Sequence, residues 1–227
     1  MKNLLIKIFR KLIILPLKYK LKNDYKAERY WQDRFKKHGK SLKGVGNEGV
    51  SNNENERIYQ EAKKQLHSKI NELPINIKSC NVLEIGPGIG FYTSFFYKEL
   101  NLKHLDAIDI TDYYFDTLQK ELPEYNFIKA DISKQKIKGK YDLIFMIDVI
   151  EHIVTEEKFK FSLDNINQAI NKNGYFIITG YNNTKTRKKL FYVKSWHKKD
   201  IINRLHNFSV ITEIPFRKTN LMILKKN

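Results

Sequence analysis

The feature that most narrows what this chain can become is a short apolar segment running straight into glycines. Asn81, Val82, Leu83, Glu84 and Ile85 lead to Gly86, Pro87, Gly88, Ile89 and Gly90, and a helical pattern begins at Phe91. The pattern predicts strand, tight turn and helix in succession, with glycines that let a ligand approach the backbone closely. Dinucleotide-binding folds use such a turn too. Two residues separate the cases. A G-x-G-x-x-G fingerprint needs a small residue at position 91, where this chain has Phe91. Glu84 also sets a carboxylate at the strand end, suited to a cationic ligand and poorly suited to a pyrophosphate.

Downstream the pattern alternates. Strands are predicted at 80–85, 104–109, 125–130, 141–147 and 174–180, with helices at 90–100, 112–121, 156–171 and 196–206. Such alternation indicates a parallel sheet covered on both faces. Residues 208–214 and 220–225 read as two closing strands too close together for a crossover, hence a terminal antiparallel hairpin. Upstream, residues 23–43 read as a polar helix with an aromatic stripe of Tyr25, Tyr30, Trp31 and Phe35, broken at 44–49. Ser51 followed by Glu54 matches a capping box opening a helix that runs to about Leu73, where Pro74 stops it. There is no internal repeat and no low-complexity tract.

Further acids fall at strand ends. Asp109 closes the second strand nineteen residues after Gly90, beside the glycine turn in a doubly wound sheet, where a carboxylate can hold both ribose hydroxyls. Charged hydrogen bonds of this kind contribute about 1.5–3 kcal/mol each. Asp131 follows the third strand and can accept from an adenine amino group while Ile132 packs on the ring. The fourth strand, 141–147, leads into Asp148, Val149, Ile150, Glu151 and His152. Its carboxyl end should face the reacting group, since ligands of such folds sit outside the strand ends.

Taken in order, these segments resemble the class I S-adenosylmethionine-dependent methyltransferases, over residues 78–226 and most closely the broad group that includes quinone-biosynthesis and sugar O-methyltransferases. The resemblance implies an α/β, Rossmann-like seven-stranded sheet with an antiparallel last strand, preceded by an N-terminal helical extension. It implies S-adenosylmethionine as cofactor, held by matching position at Glu84, Ile85, Gly86, Gly88, Gly90, Asp109, Ile110, Asp131 and Ile132, with Met146 or Ile147 nearby. The chain then divides into a basic amphipathic segment (1–22), a helical extension (23–77) and the methyltransferase domain (78–227). In such proteins an extension of this pattern folds over the cofactor as a lid. The alternative is an extra helix packed away from the site. Tyr30, Trp31 and His197 are the candidate acceptor-binding residues.

Methyl transfer from a sulfonium is an in-line displacement with a good leaving group, so the protein mainly positions the acceptor and, for an oxygen nucleophile, removes its proton. His152, with an ordinary pKa near 6.5, is the candidate base, and Glu151 and Asp148 stand beside it as candidate catalytic groups. The same three residues, completed by His197 or His206, resemble the Glu-x-x-Glu-His segment of metal-dependent RNA 2′-O-methyltransferases, with the shorter Asp148 replacing the first glutamate. Glu-His also occurs in metal-free relatives, and no resident metal is expected.

Charge bears on partners. The chain has 42 basic and 25 acidic residues, a net charge of +17, which favours anionic partners. Residues 1–22 carry seven basic side chains and no acidic one. Leu5, Ile8, Phe9, Leu12 and Ile13 fall at helical spacing there, with Lys7, Arg10 and Lys11 largely outside the stripe. The longest uncharged run, 12–17, is far too short to span a bilayer, and no signal-peptide cleavage site follows. The segment reads either as a helix lying on a membrane surface or as one packed on protein. The loop 181–194 carries Lys185, Arg187, Lys188, Lys189 and Lys194 and is either a grip for an anionic acceptor or a solvated basic loop. Cys80, the single cysteine, excludes an internal disulfide and suits a reducing compartment as a buried structural thiol. The combined expectation is a cytoplasmic enzyme, peripheral at the inner membrane face, methylating an oxygen of a saccharide or lipid-linked glycan. RNA and quinone or other lipid acceptors are the alternatives, as is a non-catalytic protein of this fold. No RNA-stacking platform is visible, which disfavours nucleic acid, and oligomeric state is left open.

Overall fold

The structure is a computed structural model that describes residues 9–227. The reading of 1–22 as one amphipathic segment therefore falls, for residues 1–8, outside the described residues. Four helices come first: α1 (Leu15–Tyr19, continuing a π-helical turn at Arg10–Ile14), α2 (Ala27–His38), α3 (Leu42–Val45) and α4 (Asn52–Asn71). Then follow β1 (Val82–Ile85), α5 (Phe91–Lys98), β2 (Asp106–Asp109), α6 (Phe115–Glu121), β3 (Asn126–Lys129), β4 (Tyr141–Met146), α7 (Glu156–Ala169) and β5 (Ile170–Tyr181). A short ribbon of β6 (Arg187–Leu190) and β7 (Val193–Ser195), helix α8 (Lys198–Arg204), and the hairpin β8 (Phe208–Phe216) and β9 (Thr219–Lys226) complete the chain.

Seven strands form one sheet in the order β3-β2-β1-β4-β5-β9-β8. β1 pairs in parallel with β2 on one side and β4 on the other, placing Ile85 opposite Ile108 and Met146. β9 runs antiparallel to both β5 and β8. The strand order reverses direction at the β1–β4 pair, and crevices for ligands open at such switch points.

Side-chain parity sorts the core into two layers. Leu143 and Phe145 of β4 point toward α4, α5 and α6, where they meet Leu66, Phe96 and Leu118. Ile144 and Met146 point the other way, onto Phe159, Leu163 and Ile166 of α7 and Ile201 of α8. In the first layer Phe96 and Phe145 stack at 4.3 Å with no solvent exposure.

The expected helix at 23–43 is interrupted: α2 ends at Gly39, whose φ of +61° leaves the helical region, and α3 follows as a single turn. Ser51 caps α4 by accepting from the Glu54 amide at 3.1 Å, while the Glu54 carboxylate turns to Arg57 instead of closing the box. β5 begins at Ile170, claiming the end of the helix expected at 156–171. The loop 181–194 contains most of the β6–β7 ribbon, which side-chain alternation does not reveal because Arg187, Lys188 and Lys189 are consecutive basic residues. Cys80 is only half-buried, its Sγ 3.4 Å from the Asn76 carbonyl oxygen. The Phe96–Phe145 stack should be among the largest single contributions to stability: Phe96→Ala is expected to lower the unfolding free energy by about 3–5 kcal/mol, measured by urea denaturation.

Candidate active site

The glycine turn between β1 and α5 is held in left-handed backbone at three positions, with φ of +79° at Gly86, +56° at Gly88 and +83° at Gly90. Only glycine adopts these angles without strain. Space forbids a side chain as well. A Cβ on Gly86 would lie 2.4 Å from Val149, one on Gly88 2.9 Å from Val45, and one on Gly90 2.3 Å from Leu118.

Over this turn lies a cavity of about 150 Å³. A water needs only about 10–15 Å³ of such space, so the cavity has room for a small ligand. Ile85, Gly86, Gly88, Asp109, Ile110, Asp131 and Ile132 line it, joined by Ser133, Ile147, Asp148 and His152. Its other wall comes from the N-terminal helices, through Tyr25, Trp31, Phe35, Val45 and Tyr59. These helices thus cover the carboxyl ends of the strands. One guanidinium fixes the α3 turn there. Arg34 donates from Nε to the Gly44 carbonyl at 2.6 Å and from Nη2 to those of Lys43 at 3.1 Å and Gly46 at 2.6 Å.

The carboxyl groups divide by surroundings. Glu84 is buried beneath the turn, and its Oε2 has no hydrogen-bond partner. Burial, together with the nearby Asp109, pushes its carboxyl up to about 8. Asp109 accepts from the Gly88 amide at 3.1 Å on Oδ2 and from the Thr111 amide at 3.0 Å on Oδ1. Burial outweighs these bonds and raises it to about 6. Each carboxylate oxygen can accept twice, so Asp109 keeps capacity for two hydroxyls. Asp131 differs: burial opposes its ionisation, but Ser133 and Lys134 hold it below the usual carboxylate range. A cradle that excludes any Cβ, a buried carboxyl lacking a donor and a second carboxylate with spare acceptor capacity fit a cationic nucleoside.

After β4 the chain turns sharply. Asp148 has a φ of +56°, unusual for a residue with a side chain and costing about 1 kcal/mol or more. Thr179 holds it there, its hydroxyl accepting from the Asp148 amide at 2.8 Å and donating to Oδ1 at 3.0 Å. The other carboxylate oxygen pairs with Arg217, whose guanidinium lies 4.1 Å from the Tyr59 ring centroid. Glu151 packs its carboxylate against Gly180, whose φ of +87° and missing Cβ make room for it. His152 bonds through Nδ1 to the Tyr192 carbonyl at 2.9 Å. A carbonyl only accepts, so Nδ1 carries the proton and Nε2 keeps its lone pair in the neutral ring. The ring sits edge-on to Trp31 at 4.8 Å and parallel to Tyr192. Burial lowers its pKa to about 4, well below the ordinary value used to nominate it as a base.

A second cleft adjoins the first. It is lined by polar groups of α2 and α4 and of the 43–48 loop, and by Glu151, Tyr192 and Arg217, and it shares Trp31, Val45, Asp148 and His152 with the cavity over the turn.

Some expected site residues lie elsewhere. Met146 faces α7 and does not line the cavity, whereas Ile147, one residue on, does. Gly90 shapes the turn from behind, against Leu118. Tyr30 lies inside an aromatic cluster, stacked 4.7 Å from Tyr192, and supports the wall without lining it. His197 caps α8, its Nδ1 accepting from the Lys199 amide at 3.1 Å. Lys185, Arg187 and Lys194 line neither cavity, and Lys194 lies over the Trp196 ring. Among the described residues no group of three or more His, Cys, Asp or Glu is placed to hold a metal ion. Tyr192, Val45, Arg34 and Arg217 were not singled out, because nothing in their local sequence marks a carbonyl or a valine as a site element.

The family described as "Methyltransferase domain" matches residues 83–176. The chain has the class I methyltransferase fold. A S-adenosylmethionine-dependent methyltransferase from Leishmania major superposes with a TM-score of 0.69 at 16% identity, covering 88% of this chain and 83% of that one. Magnesium protoporphyrin IX methyltransferase from Synechocystis, with bound S-adenosylhomocysteine, gives 0.64 at 16% identity, covering 88% and 98%. Among curated proteins, malonyl-[acyl-carrier protein] O-methyltransferase 1 of Ilyobacter polytropus is 34% identical over 71 residues, which are 30% of this chain. The match spans about a quarter (26%) of that relative's length.

The buried His152 has a consequence for pH. Its folded pKa of about 4 lies below the ordinary 6.5. The stability contributed by its neutral form is therefore complete above about pH 6.5 and lost as pH falls toward 4. His152→Gln should flatten this part of the stability curve, as read by thermal unfolding at successive pH values.

Proposed function

We propose that this chain is a S-adenosylmethionine-dependent methyltransferase that methylates an oxygen of a saccharide or lipid-linked glycan. The observation that carries the reading is the shared wall. A donor over the glycine turn and an acceptor in the adjoining cleft meet at Trp31, Val45, Asp148 and His152. When bound, S-adenosylmethionine supplies an electrophilic methyl group on a sulfonium and departs as a neutral thioether. Glu84, from beneath the turn, and Asp109 would hold its cationic and ribose portions, Asp131 and Ile132 would hold its base, and Ile147 would border it.

On the acceptor side, His152 presents the Nε2 lone pair to the incoming hydroxyl and takes its proton as the new carbon–oxygen bond forms. A base with a pKa near 4 is weak, so its chief contribution is orientation together with proton acceptance late in the step. The Asp148–Arg217 pair fixes the loop that carries it. The cleft's lining favours a hydroxyl-rich acceptor. Asn47 and Gln65 contribute amides and Glu61 a carboxylate, beside Glu48 and Glu54, which pair with Lys37 and Arg57.

Calorimetric titration tests the cofactor half. The chain should bind S-adenosylmethionine, and Asp109→Ala should weaken binding by at least about tenfold, from the loss of charged hydrogen bonds. Because Glu84 and Asp109 are raised to about 8 and about 6 and bind the ligand as carboxylates, titration at about pH 6.5 should release protons, seen as a buffer-dependent enthalpy. Undetectable binding, or equal binding by Asp109→Ala, would defeat the reading. For the transfer half, His152→Gln should lower the rate of radiolabelled methyl transfer to a glycan acceptor by about 10²–10⁴-fold while leaving cofactor affinity unchanged.

A further inference from the structure

Ten large apolar side chains are exposed among the described residues, and six of them fall within residues 9–21: Phe9, Leu12, Ile13, Ile14, Leu17 and Leu21. Singly exposed apolar residues are ordinary, but a contiguous patch marks an interaction surface. Leu17 is 83% exposed, Leu12 60% and Phe9 56%.

The segment is nevertheless anchored along its other face. Leu15 and Tyr19 are buried among Tyr25, Tyr30, Phe191 and Tyr192. The Tyr19 hydroxyl donates to Asp33 at 2.7 Å, and Lys18 pairs with the same carboxylate at 2.8 Å. Backbone bonds from Lys26 to the Tyr19 carbonyl and from Leu21 to that of Asp24 tie the segment's end to the start of α2. The apolar face is thus held outward by a docked base.

Charge decides what covers it. Residues 9–22 contain Arg10, Lys11, Lys18, Lys20 and Lys22 and no acid, and Lys20 and Lys22 are exposed. A second copy would form a two-fold interface that sets the patch against itself, bringing these cations together. Anionic lipid headgroups would instead attract each of them, while the apolar side chains enter the acyl boundary. No helix among the described residues is long and apolar enough to cross a membrane, so the segment lies on the surface and does not span it.

We propose that residues 9–21 dock this protein on an anionic lipid surface, with Phe9, Leu12, Ile13, Ile14, Leu17 and Leu21 at the headgroup–acyl boundary. This docking stands independently of the methyltransferase reading. It also has a consequence for the site. The buried face of the segment joins the cluster whose Tyr192 carbonyl holds His152, so the acceptor side of the protein is brought next to the bilayer.

Flotation of the full chain with phosphatidylcholine vesicles, with and without phosphatidylserine, tests the proposal. The wild type should float with the anionic vesicles and not with the neutral ones, and high salt should weaken binding. The double variant Leu12→Glu, Leu17→Glu should reduce partitioning by at least about tenfold. Both positions are exposed, so its melting temperature and S-adenosylmethionine affinity should match the wild type. A loss of flotation with both intact supports docking. Equal flotation of wild type and variant overturns it. So does absence of flotation by the wild type combined with a concentration-dependent dimer that the variant abolishes, which would assign the patch to a second copy.

Discussion

Three left-handed glycines, each pressed by a different element, are the point on which the site is built. Gly86 is met by Val149 from the segment after β4, Gly88 by Val45 from the N-terminal cover, and Gly90 by Leu118 from α6. The turn is therefore more than a place where a ligand touches backbone. It is the seat on which the loop carrying His152, the cover and the first helical layer all rest. A side chain at any of the three positions would displace one neighbour and strain the backbone at once. The cover in turn depends on Arg34. By taking three consecutive-region carbonyls from Lys43, Gly44 and Gly46, it shapes a loop that has no regular partners of its own and points Val45 down onto Gly88.

Strain and burial accumulate on the side facing the second cleft. Asp148 occupies left-handed backbone without being glycine, and Thr179 and Arg217 between them engage its amide and both carboxylate oxygens. Unfavourable conformations of this kind persist where surrounding contacts over-determine them, often at functional sites. Asp148 already serves a cation, the guanidinium, and His152 directs its one ring proton to a carbonyl.

Much of this was legible in the sequence, and the reason is the same wherever it was. Apolar runs of four to seven residues ending in glycine or acid report strands buried on both faces, and the spacing between them leaves room for a helix. The sheet, its closing hairpin and the ring of Ile85, Gly86, Gly88, Asp109, Asp131 and Ile132 follow from that pattern. Met146 and Ile147 show where it stops. Both are apolar and adjacent, and choosing between them requires knowing which face of β4 meets α7, a tertiary fact. His197 failed for a related reason: a histidine before a helix can cap it or face a ligand, and only the Lys199 amide and Asp200 decide. Tyr192 and Arg34 act through backbone carbonyls, and a carbonyl is present at every residue, so composition carries no sign of either role. The β6–β7 ribbon escaped because lysines and arginine occupy positions where alternation with apolar residues would have announced it.

The two halves of the site rest on different foundations. The cofactor half is built on strand ends and shares the two main layers of the core. The side proposed for the acceptor rests on a separate cluster of Leu15, Tyr19, Tyr25, Tyr30, Val154, Phe191 and Tyr192, outside both layers. That cluster is held mostly by rings meeting edge to face, as Tyr30 meets Tyr19, Tyr25 and Phe191 at 5.3–6.1 Å, contacts of about 0.5–1.5 kcal/mol each beyond their burial. Such a satellite can open at lower cost than the sheet can unfold. That asymmetry would suit the proposed transfer, in which the donor is held in one pose while the acceptor enters and leaves. His152 stands at the junction, its backbone carbonyl accepting from the Tyr25 hydroxyl and its ring Nδ1 donating to the Tyr192 carbonyl. Loosening of the cluster would act on the His152 ring through its bond to Tyr192.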